Sequence, residues 1–294
     1  MNPNATPLTH PGATADCNDC GGSGHVVRSQ GEFSVGALCT CVMTCPICND
    51  SGFEAPPKGQ RRGRRKRCVC RRLRGRLARY TAAKVPARYA HCTLLSFERT
   101  ADTMKPFTRV AHYLKSYQPK HVNRGLVLHG DVGRGKTHLM AAIVRDQVIQ
   151  HGVSARFIEF SHLIADLKYS FDRGSGAAAL IDPLVHVDVL AIDELGKGRN
   201  TEWEGTILDE LISRRYNAYG TVLATSNYPP GPATGRAAPN HAKPEQRPAL
   251  VDRIGPRVYS RLFEMCEFVE MGGADYRNKL ATQATSRWAR ARRR

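Results

Sequence analysis

The chain has 294 residues, 41% of them hydrophobic, and a formal net charge of +18, which suits one full α/β domain with a smaller module beside it. It has no apolar run long enough to cross a bilayer as a helix and no leader-like apolar core near Met1, so the expectation is a soluble, cytoplasmic protein. Ten cysteines, eight of them between Cys17 and Cys70, fit local metal sites in a reducing compartment better than a disulfide framework.

The charge excess sits in two patches. Eleven Lys or Arg and no acid lie between Arg61 and Arg79, and five more arginines lie between Arg287 and Arg294; the remainder of the chain carries only +2. Such density draws polyanions by releasing counterions, which makes DNA the expected partner; a merely solvated segment is the alternative for each patch.

In chain order, residues 1–16 are rich in Pro, Asn, Thr and Ala and are expected to be disordered. Residues 17–70 hold a repeat. Cys17-Asn-Asp-Cys20-Gly-Gly-Ser-Gly24 is echoed by Cys45-Pro-Ile-Cys48-Asn-Asp-Ser-Gly52, and each copy is followed by Cys-x-Cys, at Cys39/Cys41 and at Cys68/Cys70. A two-residue spacer lets both thiolates point at one ion, and each pair needs a second pair for a tetrahedral site, so four pairs suit two Zn²⁺ ions. Sequential pairing and an interleaved hairpin both satisfy that count. Residues 71–84 read as a basic helix or linker.

From Val85 to about residue 280 the composition becomes that of a packed domain. Short apolar strands are expected at Leu126–His129, Ala155–Phe160, Val187–Ile192, Thr221–Thr225 and Glu267–Met271. Helical spacing covers Thr137–Gln150 and Trp203–Tyr219, and Ser161 is placed to N-cap a helix between them. Strands joined by helical crossovers imply a doubly wound parallel sheet. Residues 228–249 carry six prolines and read as a surface loop, and residues 281–294 as a basic tail.

The chemistry is most legible at Gly130-Asp131-Val132-Gly133-Arg134-Gly135-Lys136-Thr137, between an apolar strand and a helix. Glycines let the backbone wrap a phosphate so that amides, continuing to His138, and the helix N-terminus face the anion. Lys136 would reach the β- and γ-phosphates of ATP, and Thr137 would hold Mg²⁺ through its hydroxyl. The apolar run Asp188–Ile192 ends in Asp193 and Glu194; Asp193 would order the Mg²⁺ shell and Glu194 would polarise the attacking water. Asn227, closing the following strand, is a candidate for the γ-phosphate or that water. Arg253, Arg257 and Arg261 offer a cation for the transition state, with Arg261 preferred and Arg257 second. The imidazoles of His129 and His138 receive no chemical role.

With these residues placed, the chain resembles the helicase-loader and transposition-helper ATPases of the AAA+ class, the family of DnaC, DnaI and IstB. The likeness spans residues 85–280 and rests on Val85-Pro86-Ala87-Arg88-Tyr89, Gly130–Thr137, Phe157–Ser161 with Leu163 and Leu167, Asp193-Glu194-Leu195-Gly196, Thr225-Ser226-Asn227 and Ser260-Arg261-Leu262. It implies an AAA+ core of five parallel strands in the order 5-1-4-3-2, ATP-dependent homo-oligomers, DNA bound along the assembly, and Arg261 acting on a neighbour's ATP. It also implies an N-terminal zinc module that engages a replicative helicase, and single-stranded DNA met near Lys168–Gly174. Two departures stand out: a doubled cysteine unit and a long proline-rich loop. The leading reading is a helicase loader. The alternatives are a transposition helper that binds duplex DNA and serves a transposase, and a zinc-dependent nucleic-acid or protein adaptor whose ATP site is a switch.

Overall fold

The computed structural model describes residues 8–55, 65–173, 177–199, 201–231 and 248–278. Met1–Pro7, the basic residues 61–64, Gly174, most of the proline-rich stretch and the C-terminal tail lie outside the described residues.

Among the described residues, seven strands form two sheets. β1 (His25–Gln30) and β2 (Phe33–Leu38) make an antiparallel hairpin, with His25 opposite Leu38 and Gln30 opposite Phe33. The other sheet is wholly parallel and contains β3 (Gly125–His129), β4 (Ala155–Glu159), β5 (Val189–Asp193), β6 (Thr221–Ser226) and β7 (Cys266–Glu270). Its spatial order is β4-β5-β6-β3-β7. Counted among the five core strands and read from the β7 edge, this is 5-1-4-3-2, the order that the family resemblance implies.

Why the strands read as apolar runs is visible in their packing. Every residue of β3, β5 and β6 is buried, and successive side chains go to opposite faces. Leu126, Leu128, Val189, Ala191 and Leu223 enter one core, while Val127, Leu190, Ile192, Val222 and Ala224 enter the other. Truncating one of these leucines to alanine costs about 2–5 kcal/mol. The first core is covered by α1 (Val69–Ala82), α2 (Ala101–Ser116) and α3 (Lys136–Asp146); the second by α4 (Phe160–Asp172), α5 (Ala178–His186), α6 (Glu202–Asn217), α7 (Leu250–Ile254) and α8 (Pro256–Met265). The first residue of β3 has room only for glycine, because any Cβ at position 125 would lie 1.8 Å from the Val222 carbonyl oxygen.

Four local expectations are corrected. Residues 8–16 are ordered: Leu8 belongs to the first core, its N–H donates to Gln150 Oε1 (3.2 Å), and His10 is buried. The stretch expected as a basic helix or linker is a packed helix. Leu73, Leu77 and Tyr80, spaced one helical face apart, enter the ATPase core, and Arg76 donates to the carbonyls of Ile149 (2.9 Å) and Gln150 (2.5 Å). Ser161 does not cap α4. The helix starts at Phe160 with Glu159 as its N-cap residue, two positions earlier, and the Ser161 hydroxyl donates to Glu159 Oε1 (2.6 Å). The helix from Thr137 ends in α-form at Asp146 and finishes with a π-turn, Gln147–His151.

Arg215 shows how α5 is tied to the sheet. Its guanidinium is fully buried and donates to the carbonyls of Leu184, Val185, Val187, Asp188 and Thr221 at 2.7–3.2 Å. Desolvation lowers its pKa to about 10, which leaves it charged at neutral pH.

Candidate functional site

The phosphate loop joins β3 to α3, with Gly135 at φ +80° as the helix N-cap. A side chain at that φ is strained, and a Cβ there would also press on Phe97 at 2.7 Å. Lys136 is buried, and its ammonium donates to the carbonyls of Gly130 (2.8 Å) and Asp131 (2.6 Å). Burial lowers its pKa to about 8 against the opposing pull of Asp193 and Asp131.

Thr137, the first-turn residue of α3, donates from its hydroxyl to Asp193 Oδ1 (2.9 Å) at the end of β5. A second hydroxyl reaches the same oxygen, from Thr225 on β6 (2.5 Å), and Thr225 Oγ1 accepts the Glu194 N–H (3.0 Å). Adjacent parallel strands therefore bring the loop, the acidic pair and Thr225 to one end of the sheet, as ligand sites on open α/β sheets require. Burial raises the proton affinity of the Asp193 carboxyl, and the two threonine hydroxyls oppose that shift. A hydroxyl and a buried carboxylate sharing one corner form an oxygen donor set that suits Mg²⁺.

Above this corner opens a cavity of about 480 Å³. Gly133 to His138 line it together with Glu194, Thr225 and Asn227. Arg88, Tyr89, His91, Cys92 and Phe97 line it also, and Ala274–Arg277 flank the phosphate loop, where Tyr276 N–H donates to Gly133 O (3.0 Å). Lys136, Arg134, Arg88 and Arg277 give the cavity a cationic lining matched to a polyphosphate.

Of the residues singled out from sequence, Gly133 to Thr137, Glu194 and Asn227 line this cavity, and Asp193 is bonded to it through Thr137 and Thr225. Glu194 sits at φ +56° and is ion-paired with Lys197, whose ammonium also lies 3.8 Å from Glu159. Arg261 is elsewhere: it is bonded to Asp209 on α6 (2.9 Å) and does not line the cavity of its own chain. Arg253 donates to the Gly196 carbonyl (3.0 Å), and Arg257 is exposed. Thr225 and Arg277 were missed. At the polar end of that strand Asn227 was preferred over Thr225, whose hydroxyl reaches Asp193 only through the pairing of adjacent strands, and Arg277 lies beyond the last strand, where only folding returns the chain to the loop.

The cysteines assemble as two sequential quartets, Cys17/Cys20/Cys39/Cys41 and Cys45/Cys48/Cys68/Cys70, with the sulfurs of each within 4.8 Å of one another. The β1–β2 hairpin brings the first two pairs together, leaving Cys17 and Cys39 sulfurs 3.7 Å apart and those of Cys20 and Cys41 3.5 Å apart. Cys68 is the N-cap residue of α1, so the second quartet is fixed to that helix. The repeat has a common geometry: Ser23 and Ser51 hydroxyls donate to the Cys20 and Cys48 carbonyls at 2.8 and 2.7 Å. Burial pushes the Cys70 thiol up. Burial acts the same way on Cys48, but hydrogen bonds from Cys70 and the Gly52 N–H outweigh it and bring Cys48 to about 7. Four crowded thiols of this kind fit a zinc ion, which replaces their protons.

A parallel 5-1-4-3-2 sheet with a phosphate loop after its first strand and an acid closing its third defines a P-loop nucleotide-binding domain of the AAA+ class. The family described as IstB-like ATP binding protein matches residues 65–284, and the chain belongs to that family. It is 28% identical over 172 residues to the uncharacterized protein YqaM of Bacillus subtilis (strain 168), covering 55% of this chain and 54% of that one. It is 26% identical over 113 residues to the replicative helicase loader DnaC of Escherichia coli (strain K12), covering 38% of this chain and 45% of the loader. The chain thus spans about half the length of the curated relatives it matches. Among solved structures, that of the DnaC helicase loader superposes with a TM-score of 0.51 at 24% identity, over 63% of this chain and 99% of that one, a likeness of fold. No described helix is long and apolar enough to cross a membrane.

Proposed function

We propose that the chain is an Mg²⁺-dependent ATPase that controls the assembly and release of a replicative helicase on DNA. The observation that carries the ATPase reading is the Thr137–Asp193–Thr225 cluster beside Lys136, at the phosphate end of one cavity. Thr137 and Asp193 would hold Mg²⁺, which supplies positive charge to the phosphate oxygens. Lys136 and the loop amides hold the β- and γ-phosphates. Glu194 takes a proton from the attacking water as its oxygen bonds to the γ-phosphorus and the bond to the β-phosphate oxygen breaks, leaving ADP and phosphate. For this Glu194 must leave Lys197, a partly exposed pair that costs about 0–1 kcal/mol to part. Asn227 orients the water, and Arg261, occupied by Asp209 in its own chain, serves a neighbouring subunit's ATP in a homo-oligomer.

The helicase as client is favoured by the zinc-binding module packed through α1 onto the ATPase core, and by relatives that include a replicative helicase loader. DNA fits the arginines exposed on α1 and the exposed Tyr169 and Phe171 near Lys168 and Arg173, on which bases could stack. The family description supports a second reading equally, an IstB-like transposition helper that binds duplex DNA for a transposase. ATP turnover of Lys136→Ala and Glu194→Gln is the test of the enzyme: both should fall at least about 10²-fold. Turnover retained in both variants overturns the ATPase. Capture of a hexameric helicase from native lysate, and of no transposase, supports the loader; the reverse result selects the transposition helper.

A further inference from the structure

We propose that His91, Cys92 and His138 form a third metal site, distinct from the cysteine quartets, that takes a borderline-soft divalent ion such as Zn²⁺ in the wall of the nucleotide cavity. One ligand atom from each of the three lies within 4.8 Å of the others. Cys92 Sγ is 3.8 Å from His91 Nε2, and the two imidazoles meet edge to face with centroids 6.0 Å apart. Ligand atoms around a tetrahedral zinc stand about 3.5 Å apart, so rotamer shifts of about 1 Å complete the set.

The surroundings support a ligand role. Cys92 is 2% exposed, so its sulfur is held in place and shielded from disulfide exchange. The His138 ring is set by Nε2, 3.0 Å from the Thr93 carbonyl oxygen and 3.3 Å from Ser96 Oγ, and by edge contact with Phe97. Two nitrogens and one sulfur match the softness of zinc and disfavour Mg²⁺. Binding converts the Cys92 thiol to a thiolate and releases its proton to solvent.

Three protein ligands leave a fourth position open. His91, Cys92 and His138 all line the 480 Å³ cavity, with the His138 ring edge-on to Phe97. An ion there, with its open position filled by water, narrows the space left for a nucleotide, so each ligand weakens the other by the same factor. This antagonism rests on the nucleotide reading of the cavity; the metal site does not.

The test has two arms. Full-length chain dialysed against Zn²⁺ at buffered free concentration should hold about one more zinc per chain than Cys92→Ser or His91→Ala. His91 is exposed, which makes its variant the safer folding control, with circular dichroism checking both. Equal zinc in the wild type and both variants overturns the site. In the second arm a fluorescent ATP analogue is titrated in excess Mg²⁺ with and without Zn²⁺; its Kd should rise at least about fivefold in the wild type and stay unchanged by zinc in His91→Ala. A zinc-independent Kd in the wild type, with the extra zinc present, overturns the antagonism. No measurable binding of the analogue, with the extra zinc present, overturns the nucleotide reading instead.

Discussion

Replacing Thr225 with valine keeps the shape of the side chain and removes one hydroxyl. That hydroxyl accepts the Glu194 N–H at 3.0 Å and donates to Asp193 Oδ1 at 2.5 Å. Loss of a hydrogen bond to a carboxylate costs about 1.5–3 kcal/mol, and an orphaned backbone N–H adds about 1–3. With part of the gap relaxing, a net loss of about 3 kcal/mol is expected, a fall in Tm of about 6–12 °C for a domain of this size. Glu194 stands at φ +56°, a conformation unfavourable for its side chain, and its N–H is held by that hydroxyl. Freed from it, the carboxylate leaves its position by enough to lower kcat about 10²-fold. Differential scanning calorimetry and a phosphate-release assay read the two effects, with Thr225→Ser, which keeps the hydroxyl, recovering most of both. A valine variant melting within about 1 °C of the wild type and hydrolysing ATP at its rate would refute the reasoning.

Two further outcomes follow from the same geometry. Because burial lowers Lys136 to about 8, nucleotide affinity should weaken as pH rises through 8, by up to tenfold per unit, since the phosphates need the charged form. Stability without nucleotide runs the other way: between about 8 and the ordinary lysine value the unfolded chain binds more protons, so this residue's contribution to stability rises with pH. A fluorescent-nucleotide Kd that is flat from pH 7 to 9.5 contradicts the placement of this lysine. Stripping zinc with a chelator should release the start of α1 at Cys68 and expose Leu73, Leu77 and Tyr80, so that proteolysis cuts within residues 65–84 and the ATPase core melts at lower temperature. An unchanged digest and Tm would mean the helix holds without the metal.

Where the sequence was readable, the reason is local backbone chemistry. Gly130 to Thr137 must turn, expose amides and start a helix within eight residues, and only a narrow set of residue types does so. The apolar strands were legible because a parallel sheet covered on both faces needs side chains that are apolar on both. α2 and α5 went unread because each carries an internal proline, Pro106 and Pro183, which in sequence signals a break. The arginines of α1 hid its buried stripe, since charge dominates the composition while Leu73, Leu77 and Tyr80 decide the packing.

Sequence alone thus singled out the residue types equipped for a phosphate or a metal, because those chemical capacities belong to the side chains and to the turn that presents them. Tertiary structure decided who meets whom: Thr225 with Asp193, Arg277 with the phosphate loop's cavity, Arg261 with Asp209, and the sequential pairing of the quartets. Those meetings depend on strand order and hairpin register, which are set by the burial of surfaces far apart in the chain rather than by any neighbouring residue.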